Sequence, residues 1–85
     1  MKYTIRVLQA ARKALLKLSA ADATRIDAKI LSLADNPKPS GAEKLKGRDG
    51  SLRVRVGDDR IIYEVDDGVL VVVVITIGHR REVYR

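Results

Sequence analysis

The sequence predicts a single α+β domain in which a helical hairpin packs on a small, mostly antiparallel four-stranded sheet, in the order β-α-α-β-β-β. The apolar residues alternate with a period of two at the N-terminus, recur with helical spacing after it, and alternate again in the C-terminal half. The length of 85 residues allows one domain, spanning residues 1–85. With 46% hydrophobic residues the chain can bury a core, which excludes a disordered basic tail.

The N-terminal part predicts one strand followed by two helices. Ser19 is well placed to cap the second helix, and Asn36-Pro37 ends it because the residue before a proline is disfavoured in helical conformation. The residues expected to face the core are Tyr3, Ile5 and Val7 in the strand, Ala11, Ala14, Leu15 and Leu18 in the first helix, and Ala23, Ile26, Ile30 and Leu33 in the second.

The C-terminal part predicts an irregular stretch over residues 37–50 and then three strands. The strands are expected at 52–56, 60–65 and 69–77, separated by tight turns at Gly57-Asp58-Asp59 and Asp66-Asp67-Gly68. The last strand is apolar almost throughout, which is typical of a central strand covered on both faces.

Besides the pattern of apolar residues, the distribution of the basic residues is informative about function. Seventeen Lys and Arg against 11 Asp and Glu give a net charge of +6, which favours a polyanion or an acidic protein as partner. About half of these cations lie in two segments, as Lys44, Lys46, Arg48, Arg53, Arg55 and Arg60 in the first and Arg80, Arg81 and Arg85 in the second.

A face of arginines is expected on the sheet. Arg53 and Arg55 lie two apart on one predicted strand and so share a face, and Arg60 opens the neighbouring strand. The last strand would bring Arg80 and Tyr84 to the rim. Arginines grip phosphates and tyrosine stacks on unpaired bases, which suits single-stranded nucleic acid. The alternation of arginine with valine is equally typical of any solvent-exposed strand face.

Several classes of protein are excluded or disfavoured. The absence of cysteine excludes a disulfide scaffold, cysteine-ligated zinc and a thiol nucleophile. No phosphate-binding glycine loop and no metal-ligand spacing are present, so we expect neither a metal nor a cofactor. His79 is the lone histidine, a residue more often found at a surface than in catalysis. Without a signal peptide or a membrane-spanning run, we expect a soluble, cytoplasmic protein with no membrane partner.

Three segments together resemble the RelE/ParE toxin superfamily across essentially the whole chain. They are Glu43-Lys44-Leu45-Lys46-Gly47, then LRVRVGDDRIIY at 52–63, and GHRREVYR at 78–85. The resemblance implies a toxin of a type II toxin-antitoxin system with a RelE-like fold. RelE members of the superfamily are ribosome-dependent endoribonucleases that cut mRNA in the A site and block translation, and each is inhibited by a cognate antitoxin. ParE members share the fold and inhibit DNA gyrase.

The resemblance also implies site residues. The catalytic set of the nucleases falls on Arg53, Arg55, Arg60, Arg80 and Tyr84, with Arg81 replacing Arg80 if the alignment slips by one. The implied reaction is attack of a ribose 2′-hydroxyl on the adjacent phosphate, without a metal, giving a 2′,3′-cyclic phosphate. Further contacts to RNA or the ribosome are expected from Lys44, Lys46, Arg48, Arg81 and Arg85.

One departure from the family pattern concerns the proton transfer. The best-known members carry two lysines where this chain has Arg53 and Arg55, and arginine does not deprotonate at ordinary pH. His79 is the only conventional acid or base nearby, and a neighbouring arginine cluster is expected to favour its neutral, base-competent form. We therefore include His79 in the catalytic set as a hypothesis.

The expected partners are a cognate acidic, RelB-like antitoxin, the 70S ribosome and mRNA. We expect the antitoxin to meet the sheet edge and the helical hairpin. No helix-turn-helix is present, so DNA would be contacted only indirectly, through the antitoxin. Two alternatives remain open: a ParE-like gyrase inhibitor without nuclease activity, and a non-catalytic RNA-binding module.

Overall fold

The described part of the chain forms two helices and five strands. The structure is a computed structural model and describes residues 2–45, 47 and 50–79, except for the side chain of residue 79. The elements are β1 (Thr4–Val7), α1 (Gln9–Leu16), α2 (Ala20–Leu33), β2 (Glu43–Lys44), β3 (Ser51–Val56), β4 (Asp59–Asp66) and β5 (Val71–His79).

The strands form one mixed sheet in the order β1-β5-β4-β3-β2. β1 runs parallel to β5, and the other three pairings are antiparallel. The prediction of an α+β fold with a mostly antiparallel sheet is confirmed, but the sheet has five strands and not four. The additional strand, β2, lies in the stretch predicted to be irregular. It was not predicted, because a two-residue strand is too short to show any alternation of apolar and polar residues.

The helices begin and pack largely as the sequence predicts. The Ser19 hydroxyl accepts a hydrogen bond from the backbone N–H of Asp22 at 3.2 Å, which caps α2. Ile26, Ile30 and Leu33 of α2 are buried. Neither helix that the structure describes combines the length and the hydropathy that crossing a membrane would require.

Both helices cover the same face of the sheet, which we call the core face. Their buried residues cluster with the buried residues of three strands, namely Val54 of β3, Ile61 and Tyr63 of β4, and Val72, Val74 and Ile77 of β5. We call the opposite side the open face. By strand alternation and register it carries Arg6, Ser51, Arg53, Arg55, Arg60, Ile62, Glu64, Val73, Thr76 and Gly78.

β5 differs in two ways from its prediction. It begins at Val71, because Leu70 has a positive φ of 55° and belongs to the preceding turn. Its residues on the core face are buried, whereas Val73 on the open face is only half-buried. The strand is therefore internal to the sheet, between β1 and β4, but fully covered only on the core face.

Two tyrosines fix the segments that connect these elements. The Tyr63 hydroxyl donates to the backbone oxygen of Pro37 at 2.8 Å, where the chain leaves α2. The Tyr3 hydroxyl donates to Asp67 at 2.5 Å, and Lys38 donates to the same carboxylate at 3.3 Å. The start of the loop that leads to β2 is thus held directly by Tyr63 of β4 and, through Lys38 and Asp67, by Tyr3 just before β1.

Candidate functional site

Three arginines occupy neighbouring register positions on the open face. Arg55 of β3 and Arg60 of β4 are direct register partners, and Gly78 of β5 is opposite Arg60 on its other side. Arg53 lies two residues before Arg55 on the same face, about 6.8 Å along the strand. The two-residue connection at Gly57 and Asp58 creates this pairing, because it fixes the register of β3 against β4.

The three arginines differ in exposure. Arg55 is exposed, the Arg53 side chain is 20% exposed, and Arg60 is 2% exposed. The sequence predicted that Arg60 joins the others, which the register bears out, but alternation alone gave no sign of its burial. β4 is the middle strand of the sheet, but this position alone does not explain the burial of Arg60, because Glu64 on the same face of β4 is only half-buried.

Carboxylates also lie on the open face, and sequence reasoning missed them. Glu43 of β2 is the register partner of Arg53, and its Oε1 lies 3.3 Å from Nη2 of Arg53. Glu64 accepts a hydrogen bond from the hydroxyl of Ser51, its register partner, at 3.1 Å. The contact of Glu43 could not be found from the sequence, because it depends on the unpredicted strand β2.

The structure does not bring Lys44 together with these arginines. Lys44 pairs with Leu52, whose side chain packs against the core, so Lys44 lies at the sheet edge on the core face. His79 ends β5 opposite Asp59, and its side chain lies outside the described residues. The other predicted site residues also lie outside the described part of the chain, namely Lys46, Arg48, Arg80, Arg81, Tyr84 and Arg85.

A polar pocket of about 220 Å³ lies on the other side of the sheet, between the start of α2 and the β3–β4 turn. Asp22, Arg25, Gly57, Asp58 and Asp59 line it, and Asp22 pairs with Arg25. None of the predicted site residues lines this pocket. Within residues 2–45, 47 and 50–79, no group of three or more His, Asp or Glu residues is arranged to hold a metal ion.

Burial and hydrogen bonding shift three pKa values near the connecting segments. Burial raises the pKa of Tyr63 to about 12. The hydrogen bond from Tyr3, and to a lesser extent that from Lys38, lowers the pKa of Asp67. The hydrogen bond between Tyr3 and Asp67 also raises the pKa of Tyr3. Tyr63 lies on the core face near the middle of β4, Asp67 in the turn after β4, and Tyr3 just before β1. None of them lies beside the Arg55–Arg60 pair at the start of β4, so they support the fold and not the chemistry.

The fold and the arginine face agree with a toxin of a type II toxin-antitoxin system, and comparison with known families gives the same class. The family model for the ParE toxin of type II toxin-antitoxin systems (parDE) matches residues 5–84, so the chain belongs to this family. Membership of the RelE/ParE superfamily, which the sequence resemblance implied, is confirmed.

Individual relatives fall on the RelE side of that superfamily. Toxin RelG of Mycobacterium tuberculosis is 31% identical over 90 residues, covering 100% of this chain and 99% of RelG. A chain of the M. tuberculosis toxin-antitoxin complex RelBE2 superposes with a TM-score of 0.82 at 28% identity, covering 94% of this chain and 100% of that one. A mutant of E. coli toxin RelE in the free state gives a TM-score of 0.80 at 26% identity, covering 99% and 92%. The chain is thus a RelE-like toxin.

Proposed function

We propose that the protein is a ribosome-dependent endoribonuclease that cleaves mRNA in the A site and blocks translation. The observation that carries the proposal is the Arg55–Arg60 register pair on the open face, with Arg53 beside it. A face that gathers three guanidinium groups suits a substrate with closely spaced phosphates. Relatives named RelG and RelE support the same function. Such a toxin would act in the cytoplasm, where ribosomes translate.

In this reaction the ribose 2′-oxygen forms a bond to phosphorus while the bond to the 5′-oxygen breaks. The products are a 2′,3′-cyclic phosphate and a 5′-hydroxyl, so a base must take the 2′-proton and an acid must protonate the leaving oxygen. Negative charge grows on the phosphate oxygens in the transition state, where positive groups stabilise it most. Arg55, the exposed member, would contact these oxygens directly.

Arg60 has a different part in this proposal. Its side chain is 2% exposed, so it raises the positive potential beside Arg55 without being a surface ligand itself. Arg80 and Tyr84 complete the proposed site by resemblance to the family, with Tyr84 orienting the nucleotide that is cut. Arg53 and Arg55 do not exchange protons at ordinary pH, so a further group must act as the base. His79 is the candidate that the sequence offers, but its register partner is Asp59, which pairs with core-face Val56 and does not belong to the Arg55–Arg60 pair.

The experiment is to map 5′ ends of messages after inducing the chain without antitoxin. The wild type should give cuts in phase with codons, and both Arg55→Met and the double variant Arg80→Ala/Tyr84→Ala should lose them. Lys13→Met is the matched control, because it removes one exposed positive charge from α1 on the other side of the sheet. Unchanged messages in arrested cells would overturn the proposal, and cleavage by His79→Gln would remove His79 from the site.

A gyrase inhibitor of ParE type is the second candidate, favoured because the matching family model is that of ParE toxins. This candidate predicts DNA damage with intact messages in the same induction experiment. A non-catalytic RNA-binding module, the third alternative, predicts RNA binding with neither cuts nor DNA damage. The three functions therefore give three different results from one culture.

We further propose that an acidic, amphipathic antitoxin inhibits the protein by covering the helical hairpin. Relatives of similar fold were solved as complexes, among them RelBE2 of M. tuberculosis and RelE-RelB of Pyrococcus horikoshii. Leu16 at the end of α1 is 87% exposed, and Arg12 and Lys13 lie on the same side of that helix. Leu31 on α2 is 68% exposed. An apolar helix side with acidic flanks would complement this surface.

Titration with the cognate antitoxin tests this contact. Leu16→Ser should weaken binding at least several-fold, because a large side chain would no longer be removed from water. Ala21→Ser is the matched control, since it places the same hydroxyl at an exposed position that already has a small side chain. Equal affinity of wild type and Leu16→Ser would place the antitoxin elsewhere.

A further inference from the structure

The contact between Glu43 and Arg53 assigns a role to a residue outside the proposed catalytic set. We propose that Glu43 is a positioning residue, which holds the Arg53 guanidinium at the β2 edge of the open face. There Arg53 would bind the RNA backbone beside the phosphate that Arg55 contacts, and not that phosphate itself. The inference rests on the proposed function and deepens it.

The strand order gives the direction in which Arg53 is held. β3 lies between β4, which carries Arg60, and β2, which carries Glu43. The Nη2 atom of Arg53 lies 3.3 Å from Oε1 of Glu43, so the guanidinium is drawn toward β2 and away from the Arg55–Arg60 pair. This separation also relieves repulsion among three neighbouring cations.

The backbone around β2 is built to hold Glu43 in this place. The backbone N–H of Ala42 donates to Pro39 at 2.9 Å just before the strand, and that of Leu45 donates to Ser51 at 3.1 Å just after it. The two residues between them, Glu43 and Lys44, form the entire strand. Such a short edge strand buries little surface, but it fixes the register that puts Glu43 opposite Arg53.

Stability does not account for the contact. The Glu43 side chain is 70% exposed, against 20% for Arg53, and an ion pair whose carboxylate lies in solvent contributes little to folding. A carboxylate on an RNA-binding face also repels phosphate, so its presence opposes binding unless it orients a cation. The orientation of Arg53 is the effect that offsets this repulsion.

Two substitutions of Glu43 distinguish its effect on the orientation of Arg53 from the effect of its negative charge. Glu43→Gln and Glu43→Ala both remove one negative charge, but only glutamine keeps a side-chain oxygen that can accept from Arg53. The probe is a single-stranded oligoribonucleotide with 2′-O-methyl groups, which binds but cannot be cut. Glu43→Ala should bind it about threefold to fivefold more weakly than Glu43→Gln, and in an Arg53→Ala background the two should bind equally.

Kinetics on programmed ribosomes give the second readout. The difference between the two Glu43 variants should appear in KM, with kcat equal within about twofold, whereas Arg55→Ala should lower kcat. Asp27→Ala is the control for removing an exposed carboxylate, from α2 on the other side of the sheet. The KM and kcat of Asp27→Ala should equal those of the wild type.

Three results would overturn the inference. They are equal binding by both Glu43 variants, a difference between them that persists without Arg53, and failure of the wild type to bind the probe at low salt. Absence of cleavage with the binding pattern intact would refute the nuclease and leave the role of Glu43 standing. The two proposals can therefore fail separately.

Discussion

Replacing Tyr63 by phenylalanine should destabilise the protein by an amount that follows from one hydrogen bond. Tyr63 is 0% exposed, and its hydroxyl donates to the backbone oxygen of Pro37 at 2.8 Å. Phenylalanine keeps the ring in the core but leaves that oxygen without its donor. A hydrogen bond of this kind contributes about 1 kcal/mol net. For a domain of this size that corresponds to a fall in Tm of roughly 4–8 °C.

The alkaline pH dependence isolates the same hydroxyl. Burial raises the pKa of Tyr63 from 10.0 to about 12. A pKa that is higher in the folded state gives stability that is fully present below pH 10 and is lost as the pH rises toward 12. Phenylalanine has no such group, so the advantage of wild type over Tyr63→Phe should shrink across this window.

Urea unfolding followed by circular dichroism, from pH 7 to pH 12, is the assay for both effects. The lysines and the other tyrosines titrate in both proteins, so their contributions cancel in the difference. Equal stability of the two proteins at pH 7 would refute the hydrogen bond. A constant difference from pH 10 to pH 12 would refute the burial of an ionisable hydroxyl.

Three further substitutions test local features of the fold. Gly57→Ala should lower the free energy of unfolding in urea by about 1 kcal/mol, because Gly57 has a φ of +60°, which residues with a Cβ disfavour. The added Cβ would meet nothing within 4 Å, so the backbone conformation alone sets this cost. Gly41→Ala, equally open and without a positive φ, should be neutral. Ser19→Ala should cost about 1 kcal/mol through loss of the α2 cap, and Ser19→Asp should restore it; an unchanged Tm would contradict the cap. Because its pKa is lowered in the folded state, Asp67 should stabilise the protein above the ordinary aspartate pKa of 3.8, so the Tm advantage over Asp67→Asn should vanish as the pH falls through the lowered pKa. A difference independent of pH would contradict the contact with Tyr3.

Local patterns predicted most of the fold. The alternation around Tyr3 and the cap at Ser19 are properties of neighbouring residues, and the structure has β1 and α2 where these patterns indicate. β2 could not be predicted, because its two residues form a strand only by pairing with Arg53 and Leu52. The start of β5 was misplaced because an apolar turn residue, Leu70, continues the pattern of the strand.

In the candidate site, too, features set by neighbouring residues could be predicted and features set by contacts between distant segments could not. The pairing of Arg55 with Arg60 was predictable, because a two-residue connection leaves the strands little choice of register. The burial of Arg60 was not, since strand alternation assigns a side chain to a face and does not show how far it is covered. The contact of Glu43 with Arg53 was also beyond the sequence, because it joins residues of strands separated by a loop.

The proposed role of the open-face arginines is to support cleavage of mRNA on the ribosome. Purified protein added to 70S ribosomes that carry one defined message, followed by analysis of the RNA ends, tests it most directly. We expect a cut in the A-site codon with a 2′,3′-cyclic phosphate and a 5′-hydroxyl, present with the wild type and lost with Arg55→Met. An intact message, from a protein that inhibits supercoiling by DNA gyrase in a parallel assay, would contradict it.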